Sequence, residues 1–282
     1  MKLRAFGTTG VELPIIGQGT WDMPESGARA REARDAIRRG VDLGMTHLDT
    51  AEMYGAGRVE ELLGEAIFGI PREKLFIGSK VLPSNATYDG TLAAARRSID
   101  RLGCGYLDLY MLHWPSEEPL EETMRALERL VNDGLVRFVG VSNFEPDAML
   151  EAASYLRTAT LACNQVLYNL SERGIEHELL AAAARKGIAI VAYTPFARGK
   201  FLRSRRAGDV LARIARRHGA TAHQVALAFL LRDQNVFTIP KAARVQHVEE
   251  NAAAAELMLE PQEIAAIDEA FPRRAVGPLA VL

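Results

Sequence analysis

Cysteine is scarce in this chain. Only Cys104 and Cys163 occur, far apart and without a C-x-x-C partner, which excludes a disulfide framework and a cysteine-built zinc site. A reducing compartment fits that usage. Charge of one sign is lacking too: 34 Lys+Arg against 36 Asp+Glu leave −2, so no general basic field draws nucleic acid or an anionic membrane. A run of eighteen apolar residues occurs nowhere, and the opening seven residues are interrupted by Lys2, Arg4 and Gly7, so neither a spanning helix nor a secretory leader is predicted. The chain is accordingly read as cytosolic, with a small molecule as its partner and no nucleic acid or membrane. No G-x-G-x-x-G turn is present, which excludes a Rossmann phosphate cradle. The six histidines form no H-x-H or H-E-x-x-H arrangement, so no metal is expected.

What the chain does contain is a rhythm. Short apolar runs rich in β-branched or aromatic residues fall at 15–19, 46–49, 75–79, 107–113, 136–141, 161–166, 188–193 and 236–240, each followed by a stretch of helical spacing. They begin about 32 residues apart on average, close to the length one βαβ crossover needs. Ala33, Ala36, Ile37 and Val41 form an apolar stripe on a helix whose other face carries Arg31, Glu32, Asp35 and Arg38. Comparable stretches lie at 59–68, 91–102, 120–133, 146–156, 176–186, 209–218 and 245–257, and extra helices are predicted at 222–232 and 261–270. Gly44, Gly103, Gly134 and Gly187 stand where several of these helices should end. No linker divides residues 1–282. One (β/α)8 barrel domain is therefore expected, because a closed barrel leaves no sheet edge to protect.

In such barrels the working groups lie just past the C-terminal ends of the strands. Asp49 and Tyr54 follow the second run, Lys80 the third, and His113 ends the fourth. Taken singly, each has a plain structural reading: a turn carboxylate, a half-buried aromatic, a solvated ammonium, a core histidine. Together on neighbouring strands they make a proton-transfer device. A phenol titrates near ~10, and a good donor at neutral pH needs about 3–4 kcal/mol of help; an ammonium about 4 Å away contributes on the order of 4 kcal/mol at an effective dielectric near 20. Lys80 is thus expected to lower the Tyr54 pKa, with Asp49 keeping Lys80 charged. His113 can hydrogen-bond a substrate oxygen.

The stretches that carry these residues, LDTAEMYG at 48–55, Ser79-Lys80 and LDLYMLHWP at 107–115, resemble signatures of the aldo-keto reductase superfamily. So do GVSNF at 140–144 and Ile239-Pro240-Lys241, and the likeness runs in order from Gly17 to Asn251. It implies a TIM barrel that reduces aldehydes or ketones to alcohols with NADPH, NADH being possible, through an Asp49, Tyr54, Lys80 and His113 tetrad. Pro-R hydride transfer is implied by the same likeness. Ser142, Asn143 and Gln165 would fix the nicotinamide carboxamide, the alternative for Ser142 and Asn143 being ordinary helix caps. Tyr193 would stack on the ring. The 194–199 loop, with Pro195, Phe196, Ala197 and Gly199, would meet the pyrophosphate, and its shortness implies weak enclosure. Lys241, Arg244 and His247 would take a 2′-phosphate, with His247 standing where many members have arginine; Glu250 and Asn251 would meet adenine.

Trp21, Met53 and Trp114 are candidates for the wall of an apolar substrate pocket, or for core. Only ten residues follow Pro272, so the pocket is expected to be open and permissive; the protein itself is expected to be a monomer. Two other functions stay open at this point. Lys80 could be a Schiff-base nucleophile in an aldolase-like lyase, or the protein could be an NADPH-binding regulatory or sensor subunit with little turnover.

Overall fold

Two antiparallel strands that hydrophobic periodicity does not announce begin the chain, β1 (Leu3–Ala5) and β2 (Glu12–Pro14). At three residues each they are too short to show a pattern. The structure, a computed structural model, describes residues 1–202, 204–275 and 277–282. The hairpin carries Phe6 and Leu13 into contact with Phe76, Leu109, Val191 and Phe237, which face inward from the strands beyond. Phe6 packs edge-on against Phe76 and Phe237, closing one end of the barrel with aromatic side chains.

Eight parallel strands follow: β3 (Gln18–Gly19), β4 (His47–Asp49), β5 (Phe76–Val81), β6 (Leu107–Leu112), β7 (Val136–Ser142), β8 (Leu161–Leu167), β9 (Ala189–Tyr193) and β10 (Val236–Thr238). They pair strictly in chain order. The ring closes where Gly17 N–H donates to Thr238 O (2.8 Å) and Thr238 N–H to Ile15 O (3.0 Å), with parallel bridges joining Ile16 to Thr238 and Gly19 to Lys241. Gly19 sits at this seam because a Cβ there would lie 2.5 Å from Ile239 O. The first and last strands are shorter than their apolar runs, since the seam pairs through isolated bridges and Pro240 has no N–H to give.

Along β6 the period of two divides the side chains: Leu109 and Met111 join the inward cluster, Tyr110 and Leu112 the layer beneath the helices. Every residue of β6 is buried, which is why its sequence reads as a continuous apolar run. The helices alternate with the strands: α1 (Gly27–Asp42), α2 (Arg58–Ile67), α3 (Tyr88–Leu102), α4 (Leu120–Asn132), α5 (Pro146–Ser154) and α6 (Leu179–Lys186). α7 (Arg205–His218) and α8 (Ala222–Leu230) both lie between β9 and β10, and α9 (Val245–Ala253) and α10 (Pro261–Ala270) complete the chain. The stripe read on α1 is its buried face, with Ala33, Ala36 and Ile37 fully covered. Gly103 and Gly187 end α3 and α6 in the left-handed conformation, with φ of 58° and 65°. Among the described residues no helix is long and apolar enough to cross a membrane.

Candidate active site

The C-terminal strand ends open on a cavity of about 320 Å³. β4 and β5 are hydrogen-bonded neighbours, so Asp49 and Lys80 reach the same rim. Lys80 Nζ donates to Asp49 Oδ1 (2.6 Å), to Thr50 O (2.7 Å) and to Tyr54 Oη (3.3 Å), with no part of the residue exposed. Tyr54 lies at the start of a short 3-10 turn, where Gly55, Ala56 and Gly57 all take positive φ and fold the chain sharply back into α2. The His113 ring meets the Tyr54 ring edge-on at 5.8 Å. The four residues named for proton transfer are therefore brought together, and Asp49, Tyr54 and His113 line the cavity.

Their electrostatics corrects one expectation. Burial pushes the Tyr54 phenol up, and although the Lys80 charge and hydrogen bond oppose this, the net pKa lies above the ordinary value rather than below it. Desolvation is the main cause, and Asp49, which takes the shortest Lys80 bond, adds to it because its own charge also raises Tyr54. Burial would lower the Lys80 pKa, but Asp49 and Tyr54 outweigh it and raise it. A fully buried ammonium held charged by three partners is a poor amine nucleophile, which removes the Schiff-base reading. His113 is pushed down to about 2, by burial first and by Lys80 second, so its imidazole is neutral.

Opposite this group stand the residues named for a nicotinamide. The Ser142 hydroxyl donates to Gln165 O (2.8 Å), and the Asn143 amide donates to His113 O and Ser142 Oγ (both 3.1 Å). Tyr193 Oη donates to Asn143 Oδ1 (2.9 Å), and Gln165 Nε2 donates to Asp49 Oδ2 (2.8 Å). All four line the cavity, and Asn143 holds φ 64°, a left-handed value that asparagine tolerates. Burial raises Tyr193 to about 12. Trp21, Met53 and Trp114 are wall rather than core: Trp21 is 41% exposed and Met53 37%.

The phosphate side is less assembled. Lys241 lines the cavity, while Arg244 and His247 are exposed at the first turn of α9; Glu250 is half-buried and Asn251 buried farther along. In the 194–199 loop, Thr194 and Arg198 line the cavity, but Pro195, Phe196, Ala197 and Gly199 do not. Proline has no N–H to offer, Ala197 and Gly199 donate within the loop to Thr194 O and Phe196 O, and the Phe196 ring packs on Phe201 and His223. The donor set nonetheless suits a dinucleotide, with amide and hydroxyl groups around an apolar slot and the cations Arg198 and Lys241 at its rim.

Gly19, Ile239 and Leu282 are lining residues to which sequence reasoning gave no site role, and Arg198, inside the loop expected at the pyrophosphate, lines the cavity as well. Arg198 lies with its guanidinium 4.5 Å from the centre of the Trp21 ring. The tail is not simply absent from the mouth, as its shortness suggested. Leu279 N–H donates to Glu145 (2.6 Å) and Leu282 lines the cavity, a return path carrying no local sequence signal.

The profile of the Aldo/keto reductase family matches residues 15–271. Methylglyoxal reductase YeaE of Escherichia coli (strain K12) is 42% identical over 263 residues, 93% of this chain and 92% of that protein. Glyoxal reductase of Bacillus subtilis (strain 168) is 35% identical over 271 residues, covering 95% and 93%. An aldo/keto reductase from Klebsiella pneumoniae, solved with NADP and acetate, superposes with a TM-score of 0.92 at 38% identity, covering all of both chains. With the fold, the rim geometry and these likenesses in agreement, the chain belongs to the aldo/keto reductase family.

Proposed function

We propose that this protein reduces small aldehydes and ketones with NADPH, Tyr54 giving the proton, Lys80 and Asp49 sustaining it, and His113 orienting the carbonyl oxygen. The observation that carries the reading is the hydrogen-bonded line from Asp49 through Lys80 to Tyr54, 2.6 and 3.3 Å long, ending in the cavity wall. When bound, the reduced nicotinamide supplies the hydride. Tyr54 holds its proton through the physiological range because its pKa is raised. An alkoxide is a far stronger base than a phenolate, so transfer becomes favourable only as charge develops on the carbonyl oxygen. Lys80, kept ionised by Asp49, then faces the phenolate that remains, and its attraction acts most strongly once Tyr54 is charged. His113 is neutral and so directs a hydrogen bond rather than delivering a proton.

The names of the curated relatives, methylglyoxal reductase and glyoxal reductase, support short dicarbonyl aldehydes as substrates. The walls formed by Trp21, Met53 and Trp114 suit a small apolar body. Lys241 and Arg244, with His247 as a hydrogen-bonding neighbour, support NADPH over NADH, since cations at a helix N-terminus favour a phosphate. Two buried free thiols support a reducing compartment such as the cytoplasm. The test is Tyr54→Phe, with turnover followed by nicotinamide absorbance and NADPH affinity by fluorescence titration. Reduction should fall roughly 10²–10⁴-fold with affinity kept within about twofold. Unchanged turnover would remove Tyr54 from the role.

A further inference from the structure

Glu52 lies between Asp49 and Tyr54, and its carboxylate is buried although nothing in the proposed chemistry uses it. Beyond the end of β4 the parallel ladder continues into the loop: Thr50 N–H donates to Gly78 O (2.9 Å) and Glu52 N–H to Lys80 O (3.4 Å). In a regular parallel pair the next rung would run from Leu82 N–H to the backbone carbonyl of residue 52. Here Leu82 N–H instead donates to Glu52 Oε1 at 2.8 Å. The side chain stands in for the main-chain acceptor, so the sheet gains one more rung while the backbone of 52–57 is released to turn.

Asn85 Nδ2 donates to the same oxygen (2.9 Å), and Arg97 lies 3.4 Å from Oε2. Glu52 therefore grips the segment after Lys80 through its own N–H and its carboxylate, two residues before Tyr54. On the other side of Tyr54, three consecutive left-handed residues leave the backbone no regular ladder. We infer that Glu52 is a positioning residue that sets the separation of Tyr54 Oη and Lys80 Nζ by completing this rung. It acts through reach and hydrogen-bond acceptance, not through its charge.

The inference rests on the role proposed for Tyr54 but makes a separate prediction. Tyr54 is faced by Asp49 from β4, Lys80 from β5, His113 at the end of β6 and Tyr193 from β9. Of these, Lys80 is the group whose distance depends on the rung. Glu52→Asp keeps the charge and shortens the arm; Glu52→Gln keeps the arm and removes the charge. The holoenzyme's pH profile of kcat is measured for both, together with the ionisation of Tyr54 by near-ultraviolet difference spectra against the matching Tyr54→Phe proteins.

Expected for Glu52→Asp is a kcat loss of about 10–100-fold and a Tyr54 ionisation moved up by about one pH unit, because the Lys80 contact lengthens. NADPH affinity stays within about twofold on the same argument. Glu52→Gln should keep the parent profile. A parent-like profile in Glu52→Asp overturns the inference, as does a displaced profile in Glu52→Gln, where loss of a nearby negative charge moves the phenol down rather than up. The spectroscopic titration reads the geometry without turnover, so it stands or falls independently of whether Tyr54→Phe is inactive.

Discussion

Gln165 Nε2 donates to Asp49 Oδ2 across the width of the barrel, from β8 to β4, while Asp49 Oδ1 receives Lys80. Both carboxylate oxygens are thus occupied, as a buried charge requires. Replacing the donor by an acceptor should expose the dependence. In Gln165→Glu two carboxylates meet at hydrogen-bond distance and cannot both ionise, so the folded-state pKa of the pair rises above the unfolded value. A raised carboxyl contributes stability below its unfolded pKa and loses it as pH climbs through the folded one. The drop in Tm relative to the parent should therefore be small near pH ~5 and widen toward pH ~9. A difference independent of pH, measured by thermal melts across that range, would contradict the pairing.

Glu176 shows the opposite sign. Burial alone would raise its carboxyl, but hydrogen bonds from Arg173, Tyr168 and Arg232 overcome this and pull it down to about 2. Its stabilisation is present above the ordinary carboxylate range and is lost as pH falls from about 4.5 toward about 2. Arg173 also donates to Phe271 O (2.7 Å), tying this cluster to the end of α10. Glu176→Gln should lower Tm at neutral pH and flatten the acid limb of the stability curve between about 4.5 and about 2. An acid limb as steep as the parent's would show that Glu176 does not govern it.

The features legible in the sequence were those written in local patterns. Eight apolar runs mark the eight strands of the barrel, because strands covered on both faces must be apolar throughout, and Asp49, Lys80 and His113 stand out as polar residues terminating such runs. Burial of whole groups was not legible. Lys80 beside Tyr54 promised a lowered phenol pKa, and only three-dimensional packing shows desolvation outweighing it. The β1 and β2 hairpin escaped notice because three-residue strands carry no period. Glu52 carries no local signal of its place, since nothing near it in the sequence shows that Leu82 N–H, thirty residues on, needs an acceptor. Leu282 lines the site beside Leu279, whose N–H is held by Glu145, 134 residues away in the chain.

Lys241 gives the last prediction, because it alone of the three residues named for a 2′-phosphate lines the cavity. It follows β10 at the seam, bridged to Gly19, so its backbone is held by the barrel while its side chain is exposed. NADPH and NADH differ only in the 2′-phosphate, so a contact to that group must appear as a difference between them. Lys241→Ala should weaken NADPH about tenfold, roughly 1.4 kcal/mol, and leave NADH within about twofold. An exposed charge contact is screened by salt, so the parent's preference for NADPH should narrow with rising ionic strength and the variant's should not. Fluorescence titration of both nicotinamides at low and high salt measures all of this. Equal losses for the two cofactors would place the phosphate elsewhere, with Arg244 and His247 on the first turn of α9 the next residues to replace.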